Sequence, residues 1–173
     1  MNSATKKHLA IWFSIISTYA NGATQEGICL ADEHTYFSCT TNNGKILSIC
    51  GSDSGGEQKD ISYKFGNNNK IELSYPTKGT INPNSKFTYN SYFRSMVSYF
   101  RLNFSNENYT YNVFRDYDGE ISNTPKAGVT VTSPTQSKEI TINCKSIAKD
   151  ELHQLPRYLS CDTESALGCS NPK

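Results

Sequence analysis

The amino-acid sequence predicts a mainly β, exported domain: a single antiparallel β-barrel or curved sandwich of roughly eight strands with a short C-terminal helix. Three observations carry this expectation. Short runs rich in Tyr, Phe, Val, Ile and Thr alternate with clusters of Asn, Gly, Pro and Ser, the pattern of successive strands and turns. Two of those clusters, Thr41-Asn42-Asn43-Gly44 and Gly66-Asn67-Asn68-Asn69, supply residues that tolerate the positive φ of a tight hairpin. The six cysteines are an even number and all follow an apolar leader, which reads as the disulfide framework of an oxidising compartment.

The leader comes first. Met1 to His8 carries Lys6 and Lys7 without an acid, Leu9 to Ala20 is apolar, and Ala20-Asn21-Gly22 offers small residues at the cleavage positions, so residues 1–22 read as a secretory signal peptide. The apolar run has about a dozen residues where a membrane span needs about twenty, and Ser14, Ser17 and Thr18 interrupt it. Cleavage after Gly22 leaves 151 of the 173 residues, enough for one domain, and takes the formal charge from +1 to −1. Such a balance argues against nucleic-acid binding, and no integral membrane segment is expected after cleavage. The implied location is periplasmic or secreted.

The strands follow in order through a β domain set at residues 23–145. Thr35 to Thr40 and Lys45 to Cys50 flank the first turn; Ile61 to Phe65 and Lys70 to Tyr75 flank the second. After a loop from Pro76 to Ser85, Lys86 to Tyr92 reads as a weaker strand. Tyr99 to Ser105 and Tyr109 to Asp116 then form a hairpin around Asn106-Glu107-Asn108. In it Phe100, Leu102 and Phe104 share one face, and Tyr99, Arg101 and Asn103 the other. Gly128 to Thr132 and Lys138 to Lys145 make the last pair, with Ile140, Ile142 and Cys144 on a common face. Residues 146–173 are expected to form a short helix, Ser146 to Leu155, ended by Pro156, and a tail clipped by cysteines.

The parity of the first hairpin constrains the disulfides. With Thr41 to Gly44 as the loop, Cys39 lies opposite Ile46 and Cys50 opposite Thr35, four cross-strand pairs apart. At about 3.3 Å per residue that exceeds the roughly 4–7 Å between α-carbons that a disulfide tolerates. Cys39 and Cys144 each point into a core, so they are expected to join. Cys29 is then expected to reach Cys50, and Cys161 to pair with Cys169. Zinc is not expected, since the chain has no C-x-x-C and no paired His. No other metal and no cofactor is expected either.

Motifs that carry chemistry are weak. Ser52-Asp53-Ser54-Gly55-Gly56 contains the Asp-Ser-Gly-Gly of chymotrypsin-like nucleophiles, but that mechanism needs a His base held by a buried acid. His34 is the one upstream histidine of the mature part and its context does not match, so Ser54 belongs to the least favoured reading, a serine hydrolase. Asp116, Asp118 and Glu120 form an acidic cluster with too few ligands at set spacing for an EF-hand. Asn103-Phe104-Ser105 and Asn108-Tyr109-Thr110 would be glycosylation sequons in a eukaryotic host. Tyr and Asn are concentrated between Tyr89 and Tyr117, and tyrosine suits recognition surfaces because it offers a large area with a polar tip at small entropic cost. The stretch Tyr92 to Ser98 is therefore the candidate partner-binding segment, with Tyr92, Arg94, Ser95 and Tyr99 as the residues facing the partner.

The series Phe37-Ser38-Cys39, Lys45 to Cys50, Tyr63 to Gly66, Glu72 to Pro76, Leu102 to Phe104, Tyr111 to Val113 and Gly128 to Val131 resembles a family of small, uncharacterised exported proteins of Gram-negative bacteria. In that family a glycine-rich stretch precedes the strand matching Ser98 to Phe104; here Arg94-Ser95-Met96-Val97 takes its place. More distantly, a Phe-x-Cys strand tied to a cysteine in the last strand is similar to the inhibitors of c-type lysozyme, small antiparallel barrels that insert a loop into the enzyme's cleft. The resemblance implies a non-enzymatic binding protein, an inhibitor or immunity factor against a cell-wall-degrading enzyme such as a lysozyme or toxin. A carbohydrate or envelope-component binder is the alternative.

Overall fold

Left-handed backbone falls at several chain reversals, on Gly44 and Asn108 but also on Met96 and Glu107, and the strands between the turns join edge to edge. At the turn after Asn106, Glu107 and Asn108 both adopt positive φ, 49° and 67°, the paired left-handed conformation of a two-residue hairpin turn. The computed structural model describes residues 27–53, 59–134 and 139–170. The expected leader, residues 1–22, and Ser54 lie outside the described residues.

Among the described residues there are ten strands: β1 His34–Thr41, β2 Ile46–Asp53, β3 Lys59–Asn67, β4 Lys70–Tyr75, β5 Thr88–Arg94, β6 Val97–Asn106, β7 Tyr109–Asp118, β8 Ser122–Thr132, β9 Glu139–Asp150 and β10 Ser160–Cys161. They form a curled, half-barrel sheet in the order β10-β5-β6-β7-β8-β9-β1-β2-β3-β4. All neighbours are antiparallel except β10 and β5. The curl turns on β9. Its first part, Glu139 to Asn143, pairs with β8, and its second, Cys144 to Asp150, pairs with β1. One strand thus belongs to two ladders, and the halves of the sheet fold toward each other.

Between the halves lies the core. The alternation of β6 puts Phe100, Leu102 and Phe104 inward, all buried, as the sequence pattern predicts. Phe104 is the hub: its ring lies 5.0 Å from Tyr63, 4.7 Å from Tyr75, 5.5 Å from Phe87 and 4.7 Å from Tyr111. These contacts connect β6 and β7 to β3 and β4, strands from opposite halves of the order.

The three disulfides are Cys29–Cys50, Cys39–Cys144 and Cys161–Cys169, with α-carbons 5.6, 5.7 and 6.0 Å apart. The pairing is the expected one, although the hairpin register differs near the turn. Cys39 faces Leu47 rather than Ile46, whereas Cys50 does face Thr35, because a bulge at Tyr36 absorbs one residue between them. Cys39 and Cys144 lie on adjacent strands, so this bond ties β1 to β9 at the seam.

Several expectations need correction. The strands number ten rather than about eight, and the hydrogen-bonded order is open, with β4 at one end, instead of closed. The expected helix from Ser146 is absent. β9 continues through Cys144 to Asp150 because β1 offers it partners: Ser146 pairs with Thr40, Ile147 with Cys39 and Lys149 with Ser38. Only a short 3₁₀ turn follows, Leu152–Arg157, with Pro156 inside it rather than ending it. A second 3₁₀ turn, Pro83–Lys86, occupies the start of the expected Lys86 strand, so β5 begins at Thr88 and runs to Arg94. Ile140 does not share the burial of Ile142 and Cys144; it is 53% exposed.

The tail is built into this fold. Leu152, Leu155 and Leu159 are buried in the same core as Phe100 and Leu102. Beyond them, backbone bonds from Asp162 N–H to the Tyr89 carbonyl (3.0 Å), from Ser91 N–H to Gly168 (3.0 Å) and from Ser170 N–H to Ser91 (2.8 Å) cover the β5 edge. Covering an edge satisfies its backbone groups and blocks strand addition there.

Candidate partner-binding surface at the β5–β6 turn

The segment singled out from sequence is not a loop but the end of the β5–β6 hairpin. Arg94 pairs with Val97 across the turn Ser95-Met96, and Met96 takes a positive φ of 62°. Tyr92 and Tyr99 are direct cross-strand partners, and their rings stack at 6.2 Å. The ladder thus brings Tyr92, Arg94, Ser95 and Tyr99 into one small area.

A second turn, between β7 and β8, packs against the first. Gly119 N–H donates to the Met96 carbonyl at 2.8 Å. A Cβ on Gly119 would lie 2.5 Å from Met96 Cε and 2.8 Å from the Tyr117 hydroxyl oxygen, so a larger residue there would push the ends of these two side chains aside. Side chains complete the attachment. Arg94 forms a forked pair with Glu120, Nη1 to Oε1 at 2.8 Å and Nη2 to Oε2 at 3.3 Å. The Tyr99 hydroxyl donates to Asp118 Oδ2 at 3.2 Å. Further along the same face Arg101 holds Asp116 through two contacts. The acidic cluster, a candidate calcium loop by sequence, therefore has a proton donor from the neighbouring hairpin on each acid. Among the described residues, the one cluster of metal-type ligands is Cys29, Glu33 and Cys50, and its two sulfurs are bonded to each other.

Electrostatics follow from the pairing. The hydrogen bond from Arg94, and then its charge, hold the Glu120 carboxyl below its ordinary value of 4.5, and the same pair raises Arg94. Desolvation raises the Tyr99 phenol, and the Asp118 charge adds to it, so the hydroxyl keeps the proton it donates. Because the folded value of Glu120 is depressed, its stabilising contribution is present above the unfolded value and is lost as pH falls through the folded one. Titration of Glu120 by carboxyl NMR should give a midpoint below 4.5, and Arg94→Gln should return it toward 4.5. An unchanged midpoint in the variant would mean that the forked pair does not form in solution.

Exposed apolar groups crown these turns. Met96 is 51% exposed, Ile121 82% and Tyr92 37%. Sequence reasoning singled out Tyr92, included Met96 only as part of the stretch Tyr92 to Ser98, and missed Ile121. No periodicity marks a solitary turn residue, and the neighbourhood of the two turns exists only once β6 and β7 are in register. His34, the histidine weighed for the hydrolase reading, accepts or donates a bond with Glu151 at 2.8 Å and meets Tyr36 edge-on at 4.6 Å.

A concave site lies elsewhere, on the outer side of β2–β3–β4. It is a groove of about 450 Å³ with Ser52, Ser62, Ser74 and Asp60 among its lining residues and the buried pair Lys64–Glu33, 2.5 Å apart, at its side. No family model, curated protein or solved structure matches this chain.

Proposed function

We propose that this chain is an exported, non-enzymatic binding protein that presents the joined β5–β6 and β7–β8 turns to a protein partner, acting as an inhibitor or immunity factor against a cell-wall-degrading enzyme. The observation that carries the reading is the exposed group Tyr92, Met96 and Ile121 set on two turns pinned to each other by Gly119 and by the Arg94–Glu120 pair. Exposed apolar side chains at the ends of two joined hairpins suit contact with a protein surface. Pinning them beforehand lowers the ordering cost of binding, and apolar and aromatic groups rimmed by charge are the composition of an interface centre. Three disulfides fit an oxidising compartment, and among the described residues no helix is long and apolar enough to cross a membrane.

Immobilised protein is expected to retain at least one member of a panel of lysozymes and other muramidases at micromolar concentration. Retention of none removes the inhibitor reading. The groove beside Lys64 favours a second reading, a carbohydrate or envelope-component binder, since its serine and carboxylate groups match sugar hydroxyls. Glycan and peptidoglycan pull-downs separate the two.

A further inference from the structure

The inward face of β7 breaks its own pattern once. Val113 is buried, but two residues on, the same face carries Arg115, set in register between Phe100 of β6 and Ala127 of β8, which are 3% and 2% exposed. A guanidinium beside such neighbours needs polar partners. Nε donates to Asp150 Oδ2 at 2.7 Å, Nη1 to Ser98 Oγ at 2.5 Å, and the guanidinium carbon lies 5.8 Å from the centre of the Tyr117 ring. Among the described residues, Nη2 meets no acceptor. Arg115 lines a cavity of about 260 Å³ whose walls include Phe93, Phe100 and Leu152, with His153 exposed at the rim.

We propose that this cavity binds a carboxylate carried on a small apolar group, with Arg115 as the anchor. With Nε and Nη1 already engaged, Nη2 is left to donate a charge-assisted hydrogen bond to a carboxylate oxygen. The guanidinium is already oriented by Asp150, Ser98 and Tyr117, so little freedom is lost when a ligand arrives. Phe93, Phe100 and Leu152 take the apolar part, and the volume suits a single ring or branched side chain, below the roughly 300–1,000 Å³ of sites for larger ligands. Asp150 holds Arg115 in place and, as a like charge, also weakens the ligand. The chemistry is shared by a free small acid and by the C-terminal residue of a peptide. This inference stands apart from the partner reading; failure of the muramidase panel leaves it intact.

The test is titration of the exported chain, followed by NMR, with 3-phenylpropionate and with 3-phenylpropionamide. The acid is expected to shift the resonances of residues around Arg115, and the amide to bind at least roughly tenfold more weakly, the scale of a charged hydrogen bond. Asp150→Asn keeps an acceptor for Nε and removes the repulsion, so it should tighten acid binding several-fold, while His153→Glu at the exposed rim should weaken it. Arg115→Met should abolish it. A purely structural Arg115–Asp150 tie predicts none of these changes. Equal binding of acid and amide, no shifts at millimolar acid, or unchanged affinity in Asp150→Asn overturns the proposal. A peptide ending in free Phe identifies a peptide terminus if it binds more tightly than 3-phenylpropionate and its amide does not bind; binding of the free acid alone identifies a small-molecule source.

Discussion

Replacing both Cys39 and Cys144 by alanine is expected to lower unfolding free energy by about 4–5 kcal/mol, the largest loss for any of the three disulfides. The bond spans 105 residues, against 21 for Cys29–Cys50 and 8 for Cys161–Cys169. In the chain-entropy account a loop of that length restricts the unfolded ensemble by about 4.7 kcal/mol, whereas one of eight residues restricts it by about 2.5 kcal/mol. Position adds to length. The bond joins β1 to β9, where one strand passes between two ladders, so its loss also frees the seam on which the curl depends. Denaturant unfolding under non-reducing conditions measures both double variants. If the Cys39/Cys144 variant unfolds no earlier than the Cys161/Cys169 variant, the seam is held by packing and hydrogen bonds alone.

Truncating Phe104 to alanine is expected to cost about 3–5 kcal/mol, by lost burial and by the cavity left among rings that cannot all move in. Phe104 touches Tyr63, Tyr75, Phe87 and Tyr111, so the change loosens β3 and β4 from β6 and β7 together. Tyr109→Ala, at the exposed end of the same hairpin, should stay within about 0.5 kcal/mol. A near-neutral Phe104→Ala would mean that the halves of the sheet do not pack as described.

How much of this was legible in the sequence depended on the range of the interactions involved. The turns at Asn43-Gly44 and Asn106 to Asn108 were, because these residues satisfy a local backbone demand that side-chain identity reports directly, whereas those at Ser95-Met96 and Gly119 were not. The burial of Phe100, Leu102 and Phe104 was legible as a period of two. Disulfide partners followed from parity, and they survived a register error at Cys39 because the bulge at Tyr36 restored the pairing of Cys50 with Thr35. The run from Ser146 to Asp150 was not legible as strand. Its polar residues become a strand by pairing with β1, more than a hundred positions earlier, and no local signal records such a partner. The open sheet order was hidden for the same reason.

The candidate site divides likewise. Tyr92, Arg94, Ser95 and Tyr99 could be grouped from the sequence because they are close along the chain. Their partners Asp118 and Glu120 were seen only as an acidic cluster, since Arg94 and Glu120 are 26 residues apart and meet only through the β6–β7 ladder. Arg115 passed unnoticed because a single charged residue in an alternating strand reads as outward. Its inward direction is fixed by register with Phe100 and Ala127.

The most direct measurement is capture of wall-degrading enzymes by the wild-type chain and by a Met96→Asp, Ile121→Asp double variant. Both changes are at exposed turn positions, so the unfolding midpoint should hardly move. The wild type is expected to retain a muramidase at micromolar concentration and the variant to release it. Equal capture by the two proteins, or capture by neither, would contradict this expectation.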